Sequence, residues 1–125
     1  MREILWIALG GSLGALCRFF LTGWVQRSVV SGFPWGTTVV NLLGCLAIGG
    51  LVGWSSLRGD FSDSARLFAL IGFLGSFTTF STFALETLAL MRAGSLAPGL
   101  SNLLLQTGGG LLAVIVGDRL GRWLG

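Results

Sequence analysis

The sequence predicts an all-α integral membrane protein with four transmembrane helices per subunit, and three observations carry that prediction. Of its 125 residues 53% are hydrophobic and only 10% charged, where soluble domains average about 25% charged. Histidine, lysine and tyrosine are absent, while glycine reaches 21. Four segments, at about 4–26, 33–54, 65–91 and 99–123, have the roughly 20 apolar residues that a helix needs to cross a hydrocarbon core about 30 Å thick.

Residues 1–125 therefore read as a single transmembrane domain. The first segment has one early arginine and an apolar run that continues past Gly14 through Arg18 without a small-residue cleavage site. It is expected to be a retained helix, not a removable signal. The connections at 27–32, 55–64 and 92–98 are short and carry the Ser, Gly, Asp and Arg of water-facing turns. They leave no space for a soluble or nucleotide-binding unit. Trp6, Trp24, Trp35, Trp54 and Trp123 fall near predicted helix ends, as in the aromatic belts of membrane interfaces.

Gly10 and Gly14, Gly49 and Gly53, and Gly117 and Gly121 are each four apart, which puts small surfaces on one helix face and lets backbones approach. With the run Gly108 to Gly110, they predict a tightly packed bundle and a homo-oligomer. Cys17 and Cys45 lie in apolar segments without metal-ligand spacing and read as buried thiols. The net charge of +3 comes from eight arginines spread singly, which gives no basic stripe for nucleic acid. Arg2, Arg58, Arg66, Arg119 and Arg122 lie on the side of the N-terminus, against Arg27 and Arg92 opposite. That bias favours a cytoplasmic N-terminus, although Glu3, Asp60, Asp63 and Asp118 share the arginine-rich side and insertion in both orientations stays open.

The third segment is the anomalous one. GFLGSFTTFSTFALE, at 72–86, holds two glycines, five hydroxyl side chains, four phenylalanines and a carboxylate. Polar groups in hydrocarbon cost several kcal/mol each unless satisfied, so this stretch is expected to line something polar. Glycine and hydroxyl residues are poor in helix interiors, and a break is expected near 75–79. Unwound carbonyls at such a break suit a small hard cation.

Phe80 and Phe83 share a face in a helix, as do Thr79 with Thr82 and Thr78 with Ser81. Ring edges are electropositive, so edge-on phenylalanines beside hydroxyls can attract a small anion without a fixed charge, or can simply pack. Asn41, with Thr37 one turn before it, makes either an interhelical hydrogen bond or a donor stripe toward a permeating solute. Arg18 and Glu86 are ionisable groups at membrane depth, each marking either a functional site or a structural partner, including one another.

Three motifs resemble one family: GGSLGALCR (10–18), PWGTTVVNLLGC (34–45) and GFLGSFTTFSTFALE (72–86). They are similar, in order and in a chain of the family's length, to the small fluoride-specific ion channels of bacteria and archaea, also called the camphor-resistance family. The likeness is looser in the fourth helix, where it reaches only glycine packing and Asn102.

The resemblance implies a passive fluoride-selective channel in the bacterial plasma (inner) membrane that lowers intracellular fluoride, built as an antiparallel dual-topology homodimer with two pores. It implies pore roles for Asn41, Phe80, Phe83, Ser81 and Thr82. It also implies a structural sodium ion, not transported, on the backbone carbonyls of Gly75 and Thr78.

Two other classes compete. A four-helix multidrug/proton antiporter needs an exchanging carboxylate, typically in its first helix, where this chain has Arg18. A non-transporting assembly subunit would need the glycines but not Asn41, Phe80 and Phe83. An enzyme has least support, because no nucleophile-base pair is present.

Overall fold

In the computed structural model, residues 1–58, 61–94 and 96–125 are described. Helix α1 is Arg2–Ser28 and α2 is Trp35–Arg58. The third span runs Asp63–Arg92 and is composite: α3 (Asp63–Arg66), a π-helical stretch (Leu67–Leu74), α4 (Gly75–Phe77) and α5 (Phe80–Arg92). Helix α6 is Leu96–Leu124. Among the described residues there is no β-strand, and the four spans are long and apolar enough to cross a membrane.

Several boundaries move from those expected, each for a local reason. Helix α2 begins at Trp35 instead of 33, because Pro34 supplies the first carbonyl of the ladder, to Thr38 N–H at 3.1 Å. It runs on to Arg58 because Ser55 and Ser56 donate back to the carbonyls of Val52 and Gly53, a bond that keeps serine inside a helix. Ser62 caps α3 by accepting the Ala65 N–H at 3.3 Å. Helix α6 starts three residues before 99 and takes Pro98 into its first turn, where the missing N–H costs nothing. Between α5 and α6, Gly94 has φ +96°, a left-handed conformation suited to glycine just past a helix end. The connections expected at 55–64 and 92–98 include Gly59, Asp60 and Ser95, which lie outside the described residues, as does the Asp60 charge in the orientation argument.

Two backbone-to-backbone seams organise the bundle. The most extensive contact is α2 against α6. A Cβ on Gly49 or Gly53 would collide with the carbonyl of Val114 or Asp118, and one on Gly117 or Gly121 with that of Leu46 or Gly50. In the second seam, Gly10 and Gly14 of α1 lie against the carbonyls of Phe68 and Phe73, and Gly72 lies against Ile7. All three glycine pairs are thus used inside one subunit, so their spacing is explained by intrachain packing, which allows the close approach described for small residues in membranes.

The buried core is small: Val40, Leu74 and Phe77, flanked by Leu21, Leu51, Leu70 and Phe73. Large apolar side chains instead cover the outside of every span, from Phe19 and Phe20 to Leu111 and Leu112. That is the inverse of a soluble helical bundle. The expectation of two buried thiols is corrected: Cys17 is exposed and Cys45 half-buried, because Cys17 sits on the outward face of α1 between Leu16 and Phe19.

Candidate functional site

The helical ladder of the third span stops at Thr78 and Thr79. Thr78 is extended (φ −86°, ψ 159°), and Thr79 is extended as well (φ −148°, ψ 109°). Gly75, Ser76 and Phe77 stay helical, so the break is narrower than 75–79. Thr78 closes the upstream helix, giving both its N–H and its hydroxyl to the Leu74 carbonyl at 3.2 and 3.0 Å. Thr79 opens α5 as its N-cap: its Oγ1 accepts the Thr82 N–H at 3.3 Å and donates to Thr82 Oγ1 at 2.9 Å. The Thr79/Thr82 spacing noticed in the sequence is therefore a capping pair. Thr82 Oγ1, having accepted that bond, keeps its own O–H to donate.

Asn41 holds the break from α2. Its Oδ1 accepts the Thr79 N–H at 2.8 Å, and its Nδ2 donates to the Thr79 carbonyl at 3.2 Å. An extended residue directs its N–H and C=O to the same side, and the amide side chain pairs with both as a neighbouring strand would. Nδ2 also donates to Gln106 Oε1 of α6 at 2.7 Å.

Gln106 Nε2 in turn donates to Thr38 Oγ1 at 3.2 Å and Asn102 Oδ1 at 2.9 Å. Asn102 Nδ2 donates to Thr87 Oγ1 at 2.8 Å, and Thr87 donates to the Phe83 carbonyl at 2.7 Å. Asn102, Thr38, Thr87 and Gln106 are all buried, so a satisfied polar chain crosses the bundle where an unpaired group would be costly.

Three recesses meet along this axis. The first is a groove of about 340 Å³ whose lining includes Asn41, Gly75, Thr78, Thr79, Phe80, Phe83 and Gln106. The rings of Phe80 and Phe83 stand edge to face with centroids 5.6 Å apart; Phe83 is buried, whereas Phe80 is 78% exposed. The second, of about 410 Å³, is lined by Arg18, Thr22, Thr37, Thr79 and Thr82 among others. It adjoins the first at Thr79. The third, also about 410 Å³, contains Glu86, Gln26 and Thr22 and adjoins the second at Thr37. Thr37 donates to Glu86 Oε1 at 2.8 Å, and Glu86 Oε2 is a buried oxygen without a hydrogen-bond partner.

The family described as CrcB-like protein, Camphor Resistance (CrcB), matches residues 5–118. The chain belongs to the CrcB family. Among its relatives, a fluoride-specific ion channel FluC of Chloroflexus aurantiacus is 43% identical over 125 residues, covering 100% of this chain and 99% of the relative. One of Thermus thermophilus is 48% identical over 121 residues, covering 97% and 94%. One of Salinibacter ruber is 47% identical over 118 residues, covering 94% and 87%.

Within this CrcB chain the residues singled out from sequence separate into groups. Asn41, Phe80 and Phe83 come together at the first groove, with Gly75 and Thr78 on its wall. Thr82, Thr37 and Arg18 border the second recess, and Glu86 the third. Ser81 is exposed and lines none of the three. Thr37 and Asn41, one turn apart on α2, serve different recesses.

The pairing of Arg18 with Glu86 is corrected: Glu86 is bonded to Thr37 at 2.8 Å, and Arg18 lines the second recess while Glu86 lines the third. Gln106, Thr38 and Thr87 were missed from the sequence. The available signal was two amides four apart in an apolar helix, Asn102 and Gln106, which places both on one face.

The carbonyls of Gly75 and Thr78 suit the cation expected there. A continuous helix would give the Thr79 N–H to the Gly75 carbonyl and the Thr82 N–H to that of Thr78. Those two N–H groups are diverted to Asn41 Oδ1 and Thr79 Oγ1. The donor set of hard carbonyl oxygens matches sodium better than a transition metal, and among the described residues no cluster of three or more His, Cys, Asp or Glu exists.

Proposed function

We propose that this chain is a passive fluoride-selective channel of the bacterial inner membrane, a multi-pass membrane protein and not an enzyme, that lets fluoride leave the cytoplasm. The observation that carries the reading is the convergence of Asn41, Phe80 and Phe83 on one groove, in a chain whose near-full-length relatives are named fluoride-specific ion channels.

Fluoride is compact and strongly hydrated, so a pore must replace its water with small donors and ring edges. The paired rings offer electropositive edges, and the exposed hydroxyls of Ser81 and Thr82 offer donors. None carries a fixed charge, which suits an ion that must also be released. Neutral hydrogen fluoride enters cells and dissociates, and the membrane potential then drives the anion out through a passive leak.

The proposed assembly is an antiparallel dual-topology homodimer with two pores. Its support is the 78% exposure of Phe80 beside a groove that one subunit leaves open; a second copy would close it. A sodium ion is proposed on the Gly75 and Thr78 carbonyls, whose helical donors are diverted. When bound it would hold the broken ends of the third span together by coordination.

The deciding experiment is efflux from liposomes carrying purified protein, measured with fluoride- and chloride-selective electrodes. Fluoride efflux far faster than chloride is expected. Equal rates, or proton-coupled drug uptake, would overturn the reading.

A further inference from the structure

Thr79 favours one orientation of the Asn41 amide: rotated by 180°, it would place Nδ2 against the Thr79 N–H and Oδ1 against the Thr79 carbonyl, two repulsive contacts. Gln106 opposes that flip because it presents its Oε1 to Nδ2 at 2.7 Å. Its own orientation is set from the other side. Nε2 has two acceptors, Thr38 Oγ1 and Asn102 Oδ1. Each is polarised in turn by a backbone carbonyl: Thr38 donates to Pro34 O at 2.9 Å, and Asn102 donates to Thr87, which donates to Phe83 O. The bonds therefore run in one direction, from two main-chain carbonyls through α6 to the Thr79 backbone.

We propose that Gln106 is a positioning residue that acts through Asn41: it fixes the Asn41 amide in the orientation that clamps Thr79 extended, and so keeps the third span broken where Phe80 and Phe83 begin. Its flux consequence rests on the channel reading above; its structural consequence does not. Because Gln106 reaches Thr79 through the Asn41 amide, its removal matters only while that amide is present.

The test is hydrogen exchange of the Thr79 amide by NMR in isotope-labelled, detergent-solubilised protein, with fluoride efflux from liposomes alongside. Gln106→Met is unbranched and nearly isosteric but has no hydrogen-bonding amide. It is expected to lower Thr79 protection about tenfold or more and to slow efflux. Asn41→Leu should lower protection at least as much, and the double variant should match Asn41→Leu alone, a coupling that independent packing defects would not give.

Gln106→Leu carries the same expectations if the methionine variant is not monodisperse. Unchanged Thr79 protection in the Gln106 variants, or losses that multiply in the double variant, would overturn the proposal. A wild-type protein with no fluoride efflux but with this coupling at Thr79 would overturn the channel reading and leave the clamp standing.

Discussion

Replacing Asn41 with leucine removes three hydrogen bonds at once, of 2.7, 2.8 and 3.2 Å, while keeping the same branching and number of side-chain heavy atoms. Interhelical side-chain bonds in membranes average about 0.6 kcal/mol and reach about 1.7, so the three together are worth about 2 to 5 kcal/mol. Thr79 is extended, so its N–H has no helical carbonyl to return to without a change of φ and ψ. Leucine gains little in exchange, since burial from lipid supplies almost no hydrophobic driving force.

Reversible unfolding in mixed detergent micelles should thus show a loss of about 2 kcal/mol or more, and fluoride efflux should fall at least tenfold as Phe80 and Phe83 lose their fixed starting residue. A stability loss below about 0.5 kcal/mol together with normal efflux would refute the clamp reasoning outright.

Four further outcomes are expected. Phe80→Ile and Phe83→Ile should each greatly reduce fluoride efflux, and normal flux in the double variant would sink the ring-edge account. Replacing sodium by a large organic cation on both sides should lower flux, whereas full activity without sodium would argue against the proposed ion. Gly117→Val should destabilise the fold by about 1 to 3 kcal/mol through overpacking, because a Cβ there meets backbone at Leu46 and Gly50 that no rotamer change can move; detergent unfolding reads it. Asn102→Leu loses two bonds but leaves Gln106 bonded to Thr38, so its stability loss should be smaller than that of Asn41→Leu, and an equal or larger loss would contradict the stated order of the chain.

Fold and site differed in how far they could be read from sequence. The spans follow from composition and length, since the bilayer sets both, and the break in the third span follows from glycines and hydroxyls where apolar residues belong. Partners could not be read. Thr37 and Asn41 share a helix face, yet one meets Glu86 and the other Thr79, two positions of the third span that helical spacing along α2 does not identify. Gln106 went unnoticed for the same reason: a buried amide takes its meaning from the amide it faces, and that contact spans 65 residues of sequence. Arg18 and Glu86 attracted attention as opposite charges, whereas the bundle gives them separate recesses.

The π-helical stretch at Leu67–Leu74 has a consequence for how this sequence tolerates insertions and deletions. A wide turn is an α-helix carrying extra chain in its register, so removing one residue from it restores ordinary α geometry without opening a gap. Each residue, however, advances a helix by about 100°. A one-residue deletion in the ordinary helix α5 would leave four apolar spans and an almost unchanged hydropathy profile yet turn everything after it by about 100°, whereas the same deletion in the wide turn would tighten that turn and keep Gly75 and everything after it in phase with Asn41. The π-helical stretch is thus the part of this span that can change in length by one residue and keep its angular phase.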